Sequence, residues 1–275
     1  TMQIKNCGIF RMKNEKHLKI CVWINPYIGQ KSEAFREAMA AVKAHPECGL
    51  TNYYERLTPD GEVDFIVYDY ENPELLFNLG SMNRLWPAVY GGMYNMLLYG
   101  VRNDILKTFY YDMKDTRLST LSSVTTGANA YVSFKNSNYY SANMSTIKSN
   151  IGVGVPDLYI MYAECLARAN KTDEASEVLV ELRRHRMDPG HEGIPADVVS
   201  ADQMTVFAFE ERMREEIGFG TSWFEMRRVW DDPLFQYLKP MYVHTVGLET
   251  YTLTEDRLWL QIPPSVLLWH PEYEK

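Results

Sequence analysis

The sequence predicts a mostly α-helical fold that is interrupted by an irregular, partly β insertion. Apolar residues between Leu158 and Leu182 recur at intervals of three and four, the period of a helix with one buried face. Ser, Thr and Asn are concentrated instead between residues 119 and 150, as is typical of loops. We expect one domain over residues 1–275, with a helical scaffold at about 15–48 and 155–230, a loop-rich insertion at about 50–154 and an irregular tail at 231–275.

The clearest predicted unit is a pair of helices between Pro156 and Arg186. The buried face of the first helix comprises Leu158, Tyr159, Tyr162, Ala163, Leu166 and Ala167. That of the second comprises Ala175, Val178, Leu179 and Leu182. Between them lies a short turn, after which Thr172 is predicted to cap the second helix through its hydroxyl group.

An earlier segment repeats this pattern. Its first helix would carry Ile20, Val22 and Trp23, and its second Phe35, Ala38, Met39 and Val42. Ser32 stands where Thr172 does, and a lysine precedes each of them. Helix pairs of this kind are the unit of tetratricopeptide (TPR) repeats. The sequence therefore predicts TPR-like pairing, with two ordinary antiparallel helices as the alternative.

The insertion and the C-terminal part have weaker signals. A β-rich run is predicted at 63–68. Aromatic rings within the polar loops suit a binding surface better than a core; they belong to Tyr131, Phe134, Tyr139 and Tyr140. A helix is expected from Asp202 to Ile217, with Met204, Phe207 and Ala208 facing inward, and strand-like alternation follows at Leu258, Leu260 and Ile262.

Composition excludes several partners. The formal net charge is −8, and the longest basic cluster, residues 183–186, closes a helix where cations complement the helix dipole. We therefore expect no nucleic acid as partner. No apolar run of about 18 residues predicts a membrane span. The first residues also lack a secretory signal, so the protein is either cytosolic or has lost its beginning.

No catalytic, metal or cofactor site is expected. The four cysteines have no C-x-x-C spacing, and the six histidines form no H-E-x-x-H motif. Adjacent acids such as Glu210 and Glu211 point away from each other on a helix, whereas a glycosidase needs two carboxylates facing across a sugar. The spacings of Arg212 to Glu216 and of Glu211 to Arg214 fit ion pairs on a helix surface.

One cluster combines aromatic rings with planar hydrogen-bonding groups. Asn83 and Arg84 lie close to Trp86 and Tyr90 in sequence. Sugars offer apolar C–H faces and hydroxyl groups, which suit stacking rings flanked by amide or guanidinium groups. The four residues are therefore the predicted ligand site, with a core role for Trp86 as the alternative.

The C-terminal half resembles the SusD/RagB family, in which a helix rich in Glu and Arg leads into Glu-Gly-x-Arg-Trp and then Asp-Leu-x-Arg. Here the helix carries residues 211–215, and Gly220, Trp223 and Arg228 match the following elements. Phe219 and Ser222 replace the usual Glu and Arg. Further similar segments lie at residues 73–77, 111–117, 262–265 and 270–271.

This resemblance covers roughly residues 15–275 and implies a SusD-like α–α superhelix. It implies a non-catalytic lipoprotein on the outer membrane of a Bacteroidetes-type bacterium, exposed to the outside and attached by a lipid anchor in an N-terminal part that is missing here. Such a protein captures oligosaccharides, or peptides in some relatives, and passes them to a SusC-type TonB-dependent transporter. Family members are longer, so the chain resembles a C-terminal portion.

Overall fold

The computed structural model describes residues 8–11, 17–20, 32–45, 48–57, 59, 73–78, 101–102, 108–110, 112, 114–117, 121–123, 131–134, 152–215, 222–246, 248–258 and 262–273. The chain divides into two compact units, Thr1–Ser222 and Trp223–Lys275. In the described ranges, no helix is both long and apolar enough to span a membrane.

Four helices carry the buried core of the first unit. They are α1 (Ser32–Lys43), α2 (Val155–Arg168), α3 (Thr172–Arg184) and α4 (Ala201–Glu215). Helix α2 packs against each of the other three and is buried along most of its length. One side of the core joins α1 to α2 and to Leu182 of α3, and the other joins α2, α3 and α4. The mostly helical fold class is thus confirmed.

The helix pair α2–α3 lies where the sequence predicts it. Helix α2 ends in a Schellman motif, in which the Lys171 and Asn170 amides donate to the carbonyls of Leu166 and Ala167 at 2.9 Å each. Asn170 adopts the left-handed conformation, with φ of 60°. The predicted cap at Thr172 is wrong, because Thr172 is already the first residue of α3 and Lys171 takes the N-cap position without a side-chain bond.

Helix α4 confirms the predicted third helix and its inward face, since Met204, Phe207 and Ala208 are all buried. It starts one residue earlier than expected, after a capping box. The Gln203 amide donates to Ser200 Oγ at 3.2 Å, while the Ser200 amide donates to Gln203 Oε1 at 3.0 Å.

Near the N-terminus the prediction is wrong for four residues. β2 (His17–Ile20) pairs antiparallel with β1 (Gly8–Arg11), whereas the helical scaffold was expected to begin at about residue 15. Polar and apolar residues alternate through His17–Ile20, which is the period of a strand. The remainder of the predicted first helix, including Val22 and Trp23, lies outside the described residues.

The insertion is partly β, as predicted. Its described strands are β3 (Leu75–Asn78), β4 (Val101–Arg102), β5 (Leu121–Ser123), β6 (Tyr131–Phe134) and β7 (Gly152–Gly154). β3 pairs antiparallel with β7, and β6 lies between β4 and β5. The β-rich run predicted at 63–68, together with Tyr139 and Tyr140, lies outside the described residues.

The second unit opens within helix α5 (Ser222–Val229) and continues through a 3₁₀ helix, Pro233–Met241. A hairpin of β8 (Val243–Val246) and β9 (Glu249–Thr252) and the short α6 (Pro264–Leu267) follow. The strand-like alternation predicted from Leu258 is wrong at that residue, which ends a 3₁₀ helix with helical backbone angles. In this unit the ring of the buried Trp230 stacks on that of the partly buried Tyr242, with centroids 6.2 Å apart.

Candidate functional site

The four predicted ligand residues, Asn83, Arg84, Trp86 and Tyr90, lie outside the described residues, and their role stays a prediction. The structure does describe chain on both sides of them. β3 ends at Asn78, and described chain resumes at 101–102 and again at 108–110, 112 and 114–117. The geometry therefore shows how the described stretches on either side of these four residues are held on the helices.

They are held by a charge network, which we define as eight ionisable side chains of the first unit. Four are arginines and four are carboxylates, so their formal charges cancel. The members are Glu74, Asp115, Arg117, Arg183, Arg186, Glu211, Arg214 and Glu215. Seven are buried, and the side chain of Glu215 is 10% exposed. Charges taken this far from water are tolerated only when paired and hydrogen-bonded.

Glu211 accepts hydrogen bonds from three of these arginines. Arg117 Nη2 donates to its Oε1 at 2.6 Å. Arg183 Nη1 and Arg214 Nη2 donate to Oε2 at 3.1 and 2.9 Å. Burial alone would raise the pKa of Glu211, but the charges of Arg117, Arg214 and Arg183 hold it well below the usual range. Glu211 is thus ionised throughout the physiological range.

Glu215, one helical turn later, contacts two arginines that come from different parts of the chain. Arg117 Nη1 donates to Glu215 Oε2 at 2.9 Å. Arg186 Nη2 donates to Glu215 Oε1 at 2.8 Å. Arg117 is in turn fixed by a two-pronged bond to Asp115, at 2.9 and 2.6 Å. Glu215 therefore links the insertion to the end of the helix pair.

Arg186 extends the network to the entry of β3. Its Nη2 donates to Glu74 Oε1 at 2.8 Å, and its Nη1 donates to the Thr51 carbonyl at 2.8 Å. The Thr51 amide completes the ring by donating to Glu74 Oε1 at 2.7 Å. The guanidinium also lies 3.9 Å from the centroid of the Tyr53 ring. Burial raises the pKa of Glu74, with Arg186 opposing that shift.

Backbone hydrogen bonds fasten the same stretches. The Arg186 carbonyl accepts from the Thr116 amide at 2.8 Å, and the Glu74 carbonyl accepts from the Val155 amide at 2.7 Å. Arg214 adds a reciprocal pair, because its Nη1 donates to the Phe109 carbonyl at 2.7 Å while its own carbonyl accepts from the Tyr110 hydroxyl at 2.6 Å. Side chains and backbone thus fasten the segments around Glu74, Phe109 and Thr116 to the helical scaffold.

This network was not predicted from the sequence, and two of its members were placed wrongly. Glu211 and Arg214 do pair, at 2.9 Å, but in the core and not on a helix surface. Helical spacing contained the signal, since residues 211, 214 and 215 continue the stripe that Met204, Phe207 and Ala208 begin. In the basic cluster 183–186, Arg183 and Arg186 are likewise buried.

The network is suited to holding chain segments, not to chemistry. The described carboxylate members bind guanidinium groups and are shielded from a substrate. Within the part of the chain that the structure describes, no group of three or more His, Cys, Asp or Glu side chains is placed to hold a metal ion.

A sequence model described as the SusD family matches residues 110–263, more than half of the chain. The chain belongs to the SusD family. All network members except Glu74 fall inside the matched region. The resemblance noted from the residue motifs is therefore confirmed. Phe219, one of its departures, lies outside the described residues, and Ser222, the other, is the first residue of α5.

Solved structures of SusD relatives share the fold. One is a SusD superfamily protein from Bacteroides fragilis, with a TM-score of 0.56 and 14% identity over 98% of this chain. Another, from Bacteroides thetaiotaomicron, has a TM-score of 0.54 and 16% identity over 92% of this chain. The chain spans 60% of the length of each of them.

Proposed function

We propose that the chain binds oligosaccharide nutrients at the cell surface without altering them and delivers them to a SusC-type TonB-dependent transporter. Membership of the SusD family is the observation that carries this proposal. SusD proteins are cell-surface nutrient-binding lipoproteins of the outer membrane. We place this protein accordingly on the extracellular face of the outer membrane, attached through a lipid anchor.

The ligand site is proposed to lie in the insertion and to include Trp86 and Tyr90, with Asn83 or Arg84 supplying hydrogen bonds. Support comes from the anchoring of the chain on both sides, where Glu74 contacts Arg186 and Arg117 contacts Glu211. A site that binds sugar through stacking rings requires its supporting segments to be fixed in place.

A non-catalytic role is supported by the state of the buried carboxylates. A glycosidase needs a carboxylic acid that reaches the glycosidic oxygen and a second carboxylate on the far side of the sugar. Glu211 and Glu215 accept hydrogen bonds from arginines. Glu74 accepts hydrogen bonds from Arg186 and from the Thr51 amide. A glycoside hydrolase is therefore the less favoured alternative.

A TPR-like scaffold for peptides or proteins is the second alternative. The helix pair α2–α3 with α4 packed against it favours such a role, because TPR-like pairs commonly present a binding face. Some members of the family that this chain resembles also bind peptides. Peptide binding would leave the fold interpretation intact and change only the ligand class.

An array that carries both oligosaccharides and peptides distinguishes these possibilities. We expect the chain to bind one or more oligosaccharides and to release no reducing sugar from them on long incubation. Binding confined to peptides would favour the scaffold. Turnover that persists through repeated purification, with activity following the protein peak, would contradict a non-catalytic role.

A further inference from the structure

The charge network divides unequally between the insertion and the helices. The insertion contributes Glu74, Asp115 and Arg117, with a formal charge of −1. The helical scaffold contributes three arginines and two glutamates, with a formal charge of +1. Among these eight side chains neither part is neutral alone, and Glu210 Oε2 lies farther out, 4.0 Å from Arg214 Nη1. Their association neutralises both, at a place where unbalanced charge is strongly unfavourable.

Glu215 lies at the junction of the two parts. Its two oxygens accept from Arg117 of the insertion and from Arg186, which itself holds Glu74 and the Thr116 amide. One carboxylate thus connects residues 115–117 and the Glu74 segment through charged hydrogen bonds. These bonds are worth more than neutral ones because they lie within the protein.

We propose that Glu215 is an electrostatic latch that docks the insertion on the helical scaffold, and that ligand binding favours this docked state. The first half rests on the geometry alone. The second half rests on the proposed function, namely that the insertion carries the ligand site. Glu215 is then a positioning residue, which acts on the ligand through the segments it holds.

The docking half predicts a local effect of Glu215→Gln. This variant keeps the size of the side chain but leaves the docked network with one excess positive charge. Amide exchange at residues 73–78 and 115–117 should then become about tenfold faster or more, while α2 and α3 exchange as in the native chain. Glu181→Gln is the matched control, because Glu181 pairs with Arg184 in solvent at 2.9 Å.

A second variant separates charge balance from packing. Glu215→Gln combined with Arg117→Gln restores a neutral network, although it removes the ion pairs of Arg117 with Asp115, Glu211 and Glu215 and that of Glu215 with Arg186. If charge balance holds the insertion, the double variant should exchange more slowly at residues 73–78 than the sum of its two single effects predicts. Additive effects, or a Glu215→Gln variant that exchanges as the native chain does, would overturn the latch. Should Glu215→Gln fail to fold, Asp115→Asn tests the same imbalance, because Asp115 is the insertion carboxylate that pairs with Arg117 at 2.6 Å.

The ligand half predicts protection by the bound sugar. The probe is the oligosaccharide that gives the strongest array signal with the native chain. If it binds only the docked state, exchange of the latch segments in Glu215→Gln should slow by about a hundredfold at a concentration of a hundred times Kd. Sugar binding without any such protection would overturn the coupling. A native chain that binds no sugar would overturn the proposed function and this half together, while the exchange of the unliganded variants still decides the docking half.

Discussion

The guanidinium of Arg186 meets the carboxylate of Glu215 side-on, with Nη2 2.8 Å from Oε1 and Nε 3.1 Å from Oε2. The two residues are 29 positions apart, and the Arg186 side chain is fully buried. Burial would lower the pKa of Arg186, but Glu215 and Glu74 raise it well above its usual value. Despite its burial, the pKa of Glu215 is lowered in turn by Arg186 and Arg117, so both shifts favour the charged pair, and its energetic role can be tested by mutation.

Glu211→Gln should be strongly destabilising. The change leaves three buried guanidinium groups without their common counter-ion, and breaking a buried ion pair costs about 3 to 5 kcal/mol. The free energy of unfolding from urea titration measures the effect. Glu181→Gln, at the solvent-exposed pair with Arg184, should cost no more than about 1 kcal/mol. Similar losses for the two variants would contradict a structural role for the network.

Stability should depend on pH in two opposite ways. Glu211 and Glu215 have lowered pKa values, so their contribution is fully present above the usual value of 4.5 and is lost as the pH falls below it. The pKa of Glu74 is raised, so its contribution is present below 4.5 and is lost as the pH rises through its folded value. We therefore expect Glu74 to increase stability as the pH falls towards 4.5, and Glu211 and Glu215 to reduce it as the pH falls further.

Urea titrations at a series of pH values measure how the free energy of unfolding changes above pH 4.5 and below it, the latter being the acid limb. Glu74→Gln should abolish the increase above pH 4.5 and leave the acid limb in place, since Glu211 and Glu215 remain. Glu211→Gln should flatten the acid limb. An acid limb that is unchanged in Glu211→Gln would show that other carboxylates govern acid unfolding.

Structure that depends on residues close together in the sequence could be predicted, and contacts between residues far apart in the sequence could not. Helices α2 to α4 were predicted well, because Leu158, Leu166 and Leu179 lie on faces set by local spacing. The network was missed because members that contact each other are up to 112 positions apart, as Arg186 and Glu74 are. No local pattern shows that a glutamate beside an arginine is buried, and the surface is the usual place for both. The one local signal was the helical spacing of residues 211, 214 and 215, which continues the buried apolar stripe of α4.

Asn170 offers a test of the helix-pair turn. Its backbone is left-handed, with φ of 60°, a conformation that glycine and asparagine accept and other side chains disfavour. Asn170→Ala should destabilise the protein by about 1 kcal/mol, whereas Asn170→Gly should be nearly neutral. Thermal melting of both variants provides the measurement. An alanine variant as stable as the glycine variant would exclude the left-handed turn.

Trp86→Ala tests the proposed ligand site. If Trp86 stacks on a sugar, as we propose, its loss should weaken binding by about 1 to 3 kcal/mol, by analogy with aromatic stacking on nucleic-acid bases, and should change stability little. If it is a core residue, its loss should instead cost about 3 to 5 kcal/mol of stability. Trp230→Ala is the matched core control, since Trp230 is only 8% exposed and stacks on Tyr242. Calorimetric titration and thermal melting of both variants separate the cases. A Trp86 variant that melts as low as the Trp230 variant would remove Trp86 from the site, because a ring that contributes to the core is not free to stack on a ligand.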